Sequence, residues 1–137
     1  MFVINRSGEL LLQLRASTKA LFAGLWANTC CTHPRPGESV LAAGERRLYE
    51  EMGMDLRLER VGTFTYRAED DDTGYVEHEL DHLLIGRSEH DPWLDSHEAD
   101  AFSWVCVEQI RSEMQSDHRF VPWLRPALNA FPDLGRE

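Results

Sequence analysis

The sequence predicts an α+β fold in which an antiparallel or mixed sheet is flanked by a few helices. Two patterns alternate along the chain: short apolar runs that end at Gly, Pro or Asp turns, and segments whose apolar residues recur at helical spacing. The 137 residues contain no internal repeat or low-complexity linker, so we expect one domain over residues 1–137. Packing a sheet against helices buries both patterns.

Strands are predicted in six segments. They are residues 2–5 and 10–14, which form a hairpin across Arg6-Ser7-Gly8, residues 25–33, residues 58–66 and 75–85 on either side of Asp70-Asp-Asp-Thr-Gly74, and residues 101–107. The segment 25–33 is expected to be extended and to stop at Pro34.

The strongest helical pattern covers residues 39–52. Ser39 or Glu38 can cap its start, and Gly53 supplies the stop. Further helices are predicted over residues 107–115 and 122–130, the second beginning near Pro122 because proline is favoured in the first turn.

The composition limits the classes of partner. A net charge of −10, with the few basic residues scattered, argues against nucleic acid. No apolar run reaches the roughly 20 residues of a membrane helix, and the first residues do not form a signal peptide. We therefore expect a cytoplasmic monomer without a nucleic-acid or membrane partner, in which metal ions offset the negative field around any phosphate ligand.

Two adjacent cysteines, Cys30 and Cys31, stand just before His33. Side chains two apart on a strand share a face, so Cys31 and His33 are predicted to point one way together with Thr29. Cys30 then points the other way. An odd total of three cysteines argues against a disulfide framework. Two interpretations stay open: both thiols are small core residues, or Cys30 packs while Cys31 faces a pocket.

A second parity pattern places Glu77, Glu79 and Asp81 on one strand face. Three neighbouring carboxylates repel one another unless a positive group lies among them. A divalent metal that also binds His33 is one solution, because imidazole and carboxylates suit Zn²⁺ or Mn²⁺. A solvated face of an edge strand is the alternative.

The central helix carries Arg47, Glu50 and Glu51 within an arc of about 100°. With Glu38 at its start and a Pro-Gly loop before it, this face is suited to hold Mg²⁺ against a diphosphate. The alternative is exposed charge pairing four residues apart, between Arg46 and Glu50 and between Arg47 and Glu51.

This loop and helix together resemble the Nudix box, in which glycine, five residues, glutamate and seven residues precede Arg-Glu-apolar-any-Glu-Glu-any-Gly-apolar. The matching segments are Thr32-His-Pro-Arg-Pro-Gly-Glu38 and Arg46-Arg-Leu-Tyr-Glu-Glu-Met-Gly-Met54. The resemblance implies a Nudix-type α/β/α sandwich with a mixed sheet. Thr32 replaces the leading glycine, and Arg47 replaces the glutamate that hydrolases of the family use for metal and water activation. That replacement weakens the hydrolase interpretation.

A wider set of residues resembles the type 1 isopentenyl diphosphate isomerases, which have the Nudix fold. The set comprises Arg15-Ala-Ser-Thr-Lys19, Gly24-Leu25-Trp26, Asn28-Thr-Cys-Cys-Thr-His-Pro34, Gly37-Glu38-Ser39, Tyr66-Arg-Ala68, Val76-Glu-His-Glu79 and Phe120-Val-Pro-Trp123. The resemblance implies interconversion of isopentenyl and dimethylallyl diphosphate by 1,3-allylic proton transfer, in isoprenoid biosynthesis. The alternatives are a Nudix hydrolase of a nucleoside or prenyl diphosphate, and an inactive fragment that binds diphosphate or metal.

The same resemblance implies roles for nine residues. Cys31 and Glu79 are the proton-transfer groups on opposite faces of the substrate, with Tyr66 close to the glutamate. The remaining roles are a diphosphate clamp of Arg15, Lys19 and Arg47, a Mg²⁺ ligand at Glu51, and part of a Mn²⁺ or Zn²⁺ site at His33, Glu77 and Glu79.

Two departures from the family pattern follow. The family draws further histidine ligands from a segment ahead of the first strand, so we expect this chain to be a fragment whose leading residues lie before Met1. In addition, the aromatic residue that lines the family's carbocation pocket falls on His118, where a protonated imidazole opposes a cation.

Overall fold

The computed structural model describes residues 1–116 and 119–136, so the expectation for His118 lies outside the described residues. This part of the chain contains six strands and three helices. In chain order they are β1 (Phe2–Ile4), β2 (Leu10–Arg15), β3 (Trp26–Ala27), α1 (Val40–Met52), β4 (Glu59–Glu69), β5 (Val76–Arg87), β6 (Ala99–Val105), α2 (Val107–Ser116) and α3 (Leu124–Ala130).

The six strands form one mixed sheet, as the sequence predicts. Its order is β3-β2-β1-β5-β4, and β6 pairs with β2 along the other edge of that strand. Among the paired strands of the described residues only β1 and β5 run parallel, with Phe2 opposite Ile85, and an isolated parallel bridge joins Trp26 to Phe120. The long hairpin of β4 and β5 brings Tyr66 opposite Glu79, so these two side chains share a face.

Two apolar layers cover the two faces of the sheet, which confirms the predicted α/β/α sandwich. One layer packs α1 onto the sheet through Leu48 and Met52. The other packs α2 and α3 onto the opposite face through Ile110 and Leu128. Among the described residues no helix is both long and apolar enough to cross a membrane.

The ends of α1 lie where the sequence predicts them. Ser39 caps the helix, since its hydroxyl accepts a hydrogen bond from the backbone N–H of Ala42 over 3.1 Å. Gly53 ends it in the left-handed conformation with φ 62°, which glycine adopts at little cost. Within the helix, a Cβ on Gly44 would lie 2.5 Å from Cδ1 of Leu84, so α1 approaches β5 closely.

The predicted strand over residues 25–33 is too long. Only Trp26–Ala27 pair with β2, and the following residues are held by side-chain bonds. The Thr29 hydroxyl accepts from the N–H of Val3 over 2.8 Å and donates to the carbonyl of Leu11 over 2.6 Å. Thr29 is therefore fully buried between two strands, which contradicts its predicted position on a pocket-facing side.

Candidate active site

All nine side chains selected from the sequence line one cavity of about 560 Å³. They are Arg15, Lys19, Cys31, His33, Arg47, Glu51, Tyr66, Glu77 and Glu79. Met1 and Leu84 also line the cavity, which places it beside the parallel pair of β1 and β5. Three strands, two loops and one helix therefore supply these nine side chains to a single space.

The two adjacent cysteines point in opposite directions, as the parity pattern predicts. Cys30 is fully buried in the layer under α1, and its Sγ lies 3.2 Å from Oε2 of Glu51. Cys31 lines the cavity, where its Sγ lies 3.3 Å from Oδ1 of Asn28. The cavity therefore receives one thiol of the pair.

Both thiols are protonated at neutral pH. The Cys31 residue is exposed to the cavity, yet the protein around the cavity desolvates the thiol and raises its pKa. Burial, and then the negative charge of Glu51, raise the pKa of Cys30 well above its ordinary value. Cys31 consequently presents an S–H proton to the cavity instead of a thiolate.

A tyrosine, two glutamates and a histidine form a hydrogen-bonded cluster on the β4–β5 wall. The hydroxyl of Tyr66 lies 2.9 Å from Oε2 of Glu77 and 3.1 Å from Oε2 of Glu79. Burial and the hydrogen bond to Glu77 raise the pKa of Tyr66, so its hydroxyl remains a donor. Nε2 of His33 lies 2.9 Å from Oε1 of Glu79, although His33 itself is largely exposed.

Asp81 continues the acidic row of β5 and also lines the cavity. Burial and the neighbouring charge of Glu79 raise the pKa of Asp81 to about 6. The parity pattern placed Asp81 on this face, but no role was assigned to it. A third carboxylate next to Glu79 thus makes this wall strongly negative.

Cationic side chains surround Glu51 in the same cavity. Arg47 donates to Glu51 and lies 3.3 Å from Oε1 of Glu98. Lys19 also donates to Glu98, and its Nζ lies 4.0 Å from Oε1 of Glu51. Glu98 was not selected from the sequence, because its link to the two cations depends on a loop 51 residues beyond Arg47.

The alternative of charge pairing on an exposed helix face is correct for one pair. Arg46 lies 3.4 Å from Glu50 at partly exposed positions, and it also bonds Glu38 over 2.8 Å. Arg47 does pair with Glu51, but that glutamate is only 3% exposed and faces the cavity. Simple surface pairing therefore does not account for Glu51.

Trp123 supplies an aromatic wall of the cavity. It belongs to the motif Phe120-Val-Pro-Trp123, but the sequence predicted no role for it. Its indole Nε1 donates to Oδ1 of Asn28 over 2.9 Å, and its ring centroid lies 5.9 Å from that of Tyr66. Cζ of Arg15 lies 5.7 Å from the same indole centroid. The separation of 95 residues between Trp123 and Asn28 explains why local patterns gave no signal for this contact.

The donor types suit divalent metals in two places. Glu51 is a buried carboxylate beside cationic groups, and Mg²⁺ is commonly held by one or two carboxylates together with substrate phosphates. His33, Glu77 and Glu79 combine imidazole with carboxylates, which suits Mn²⁺ or Zn²⁺. Among the described residues no three His, Cys, Asp or Glu side chains are arranged to hold a metal ion, so His33, Glu77 and Glu79 would supply only part of a ligand set.

Comparison with known proteins identifies the fold class first. The NUDIX domain family model matches residues 1–124. The solved structure of the MutT protein from Methanosarcina mazei Go1 gives a TM-score of 0.79 at 20% identity and covers 99% of this chain and 91% of that chain. A NUDIX hydrolase from Nitrosomonas europaea gives 0.62 at 19% identity and covers 96% and 86%. These structural matches establish the Nudix fold.

Curated relatives are more similar in sequence. The isopentenyl-diphosphate Delta-isomerase of Halorhodospira halophila is 49% identical over 134 residues, covering 96% of this chain and 77% of the relative. The protein of the same name from Nocardia farcinica is 45% identical over 129 residues, covering 93% and 74%. The chain belongs to the isopentenyl-diphosphate Delta-isomerase family of Nudix-domain proteins.

Proposed function

We propose that this protein interconverts isopentenyl diphosphate and dimethylallyl diphosphate by a 1,3-allylic proton transfer. One observation carries the proposal: a protonated thiol, Cys31, and a carboxylate, Glu79, line the same cavity as a group of phosphate-binding cations. The relatives named isopentenyl-diphosphate Delta-isomerase support the same reaction.

The reaction requires one proton donor and one proton acceptor. An incoming proton adds to the terminal alkene carbon, the π electrons form the new C–H bond, and a tertiary carbocation remains. Loss of a proton from the carbon next to the diphosphate-bearing carbon then restores the double bond in its new position. Cys31 and Glu79 are the two groups that exchange these protons, and general acid–base groups of this kind contribute about 10²–10⁴-fold each.

Tyr66 keeps the carboxylate of Glu79 in place. Its hydroxyl lies within hydrogen-bonding distance of both Glu77 and Glu79 and shares its single proton between them, so it orients the proton carrier within the acidic row. Because the pKa of Tyr66 is raised, the hydroxyl does not ionise at neutral pH and continues to donate.

The carbocation requires a dry, electron-rich surrounding. Trp123 is 6% exposed and Tyr66 is 8% exposed, so both rings face the cavity with little contact to bulk water. The face of an indole attracts cations, and Arg15 already lies near this one. We infer that these two rings shield the cationic intermediate.

Arg15, Lys19 and Arg47 bind the diphosphate. The protein as a whole carries a net charge of −10, and these three cations are the arginines and lysine that line an otherwise acidic cavity, where Arg47 and Lys19 also pair with Glu51 and Glu98. Planar guanidinium groups match phosphate oxygens in pairs, which favours arginine for this task.

Two divalent metals complete the proposed site. Glu51 would hold Mg²⁺ beside the diphosphate, and His33, Glu77 and Glu79 would hold Mn²⁺ or Zn²⁺ as part of its ligand set. Bound there, the metals supply positive charge that neutralises the diphosphate and the row of carboxylates.

Deuterium incorporation tests the reaction. The protein is incubated with isopentenyl diphosphate, Mg²⁺ and Mn²⁺ in deuterated water, and products are followed by ¹H and ²H NMR. We expect dimethylallyl diphosphate that carries deuterium, with no such product from Cys31→Ala. Release of phosphate without rearrangement of the double bond would contradict the isomerase and indicate a hydrolase.

A further inference from the structure

The loop that follows β2 contains an unusual backbone conformation. Phe22 has φ 53°, and it is the one non-glycine residue with positive φ among residues 1–116 and 119–136. Left-handed backbone is unfavourable for a bulky side chain, because Cβ approaches the backbone carbonyl. Glycine or asparagine would adopt it more readily, so something must favour phenylalanine at this position.

The ring of Phe22 provides one reason. It is 4% exposed and packs edge-on against Trp123, with centroids 5.0 Å apart and planes at 90°. Phe22 does not itself line the cavity, whereas Trp123 does. The ring of Phe22 therefore packs against an indole that lines the cavity, and the indole Nε1 also donates to Oδ1 of Asn28.

The backbone of the same loop provides the second reason. The carbonyl of Phe22 accepts from Nε of Arg15 over 3.1 Å, and the carbonyl of Leu21 accepts from Nη2 of Arg15 over 2.9 Å. The left-handed turn thus directs two consecutive carbonyls at one guanidinium. Among the described residues Nη1 of Arg15 has no protein hydrogen-bond partner, so donors remain for a phosphate.

We propose that Phe22 is a positioning residue of the cavity, whose backbone orients Arg15 for the diphosphate while its ring fixes Trp123 beside the reacting carbons. This inference rests on the proposed function for the identity of the substrate. The unfavourable backbone conformation of Phe22 is retained because it places the guanidinium of Arg15 and the ring of Trp123 at the same time.

Two substitutions separate the ring from the backbone. Phe22→Gly accepts the left-handed conformation but removes the ring, so inorganic pyrophosphate should bind within about twofold of wild type while kcat falls about tenfold or more. Phe22→Val keeps apolar bulk but resists positive φ, so pyrophosphate affinity should also fall, by about tenfold. Calorimetry measures the affinity, and NMR of the product measures kcat and KM.

A third readout does not depend on turnover. In ¹⁵N-labelled protein, the indole N–H signal of Trp123, assigned with Trp123→Phe, should shift or broaden in Phe22→Gly. Ile110→Ala is the matched control, because Ile110 is fully buried in the same core layer but does not line the cavity. It should lower stability and leave the indole signal, pyrophosphate affinity and kcat unchanged.

The inference is overturned if Phe22→Gly behaves like Ile110→Ala, with reduced stability alone. If Phe22→Gly does not fold, Phe22→Leu removes the aromatic ring with a smaller loss of volume. The indole signal of Trp123 and kcat are then measured in that variant. If wild type shows no isomerisation, the proposed function fails, whereas the indole signal and pyrophosphate affinity still decide the role of Phe22.

Discussion

The thiol of Cys30 lies 3.2 Å from Oε2 of Glu51, although the two residues are 21 positions apart and both are buried. The contact occupies the core side of the carboxylate, whereas Arg47 donates to its other oxygen, Oε1. Cys30 therefore supports a cavity-lining carboxylate from within the core, and only Cys31 of the pair reaches the cavity.

Substitution of the two cysteines should consequently give different results. We expect Cys31→Ala to lower kcat about 10²–10⁴-fold, because it removes a proton-transfer group. Cys30→Ala should keep substantial activity and lose about 1–3 kcal/mol of unfolding free energy, since the thiol donor to Glu51 is lost. Deuterium incorporation and urea unfolding measure both effects, and equal loss of activity in the two variants would refute the division between them.

Glu79→Gln should abolish isomerisation while the fold is retained. The amide cannot exchange a proton at neutral pH, so we expect kcat to fall about 10²–10⁴-fold. Far-ultraviolet circular dichroism checks the fold, and Glu59→Gln, at an exposed position at the start of β4, is a matched control. Activity close to wild type in Glu79→Gln would exclude this carboxylate as the proton carrier.

Tyr66→Phe tests the hydroxyl separately from the ring. The variant keeps the packing of the ring near Trp123 but loses the donor that lies 3.1 Å from Glu79. We expect kcat to fall about tenfold to a hundredfold, with KM within about threefold, because the hydroxyl orients a catalytic group and does not bind diphosphate. A change confined to KM would place Tyr66 in substrate binding instead.

Arg47→Glu tests the cationic end of the cavity. The change removes a phosphate-binding group and adds a negative charge beside Glu51, so inorganic pyrophosphate should bind at least about tenfold more weakly. Arg57→Glu is the matched control, because Arg57 is 96% exposed and lies 3.4 Å from Glu45 outside the cavity. Calorimetry measures the affinity of both variants for inorganic pyrophosphate. Unchanged affinity in Arg47→Glu would show that Arg47 is only a charge on the helix surface.

The loop before α1 should make stability sensitive to acid. Hydrogen bonds from Arg46 and from the N–H of Arg35 lower the pKa of Glu38 to about 2, below the ordinary value of about 4.3. A depressed pKa stabilises the fold above the unfolded pKa, and this contribution is lost as pH falls from about 4 through about 2. The urea concentration at the unfolding midpoint should therefore be higher for wild type than for Glu38→Gln at pH 7, and the two midpoints should become nearly equal near pH 2. A difference between the midpoints that does not change with pH would argue against this linkage.

Local patterns predicted the parts of the fold that depend on local chemistry. Ser39 and Gly53 mark the ends of α1 because capping requires a side-chain oxygen at one end and positive φ at the other. The alternation expected of an extended chain predicted that Cys30 and Cys31 point in opposite directions, and Cys30 is buried in the core whereas Cys31 lines the cavity.

Contacts between distant segments could not be predicted in this way. Strand parity failed at Thr29, because its hydroxyl bonds two neighbouring strands and draws the side chain into the core. Trp123 contacts Asn28, and Glu98 contacts Arg47, and both pairs are far apart in the sequence. A periodic pattern within one segment therefore cannot predict either contact. The left-handed conformation of Phe22 runs against residue preference and is determined by the ring and the guanidinium around it.

The close approach of α1 to β5 at Gly44 has a consequence for efforts to raise the thermal stability of this protein. Replacing a mid-helix glycine by alanine is a standard choice, since it ordinarily gains about 1 kcal/mol. Here the added methyl would meet Cδ1 of Leu84 and Cδ1 of Leu58, and both leucines are buried and can yield only by repacking. Repacking of these two side chains beneath α1 offsets the gain expected from helix propensity, so a screen guided by propensity alone should exclude this position.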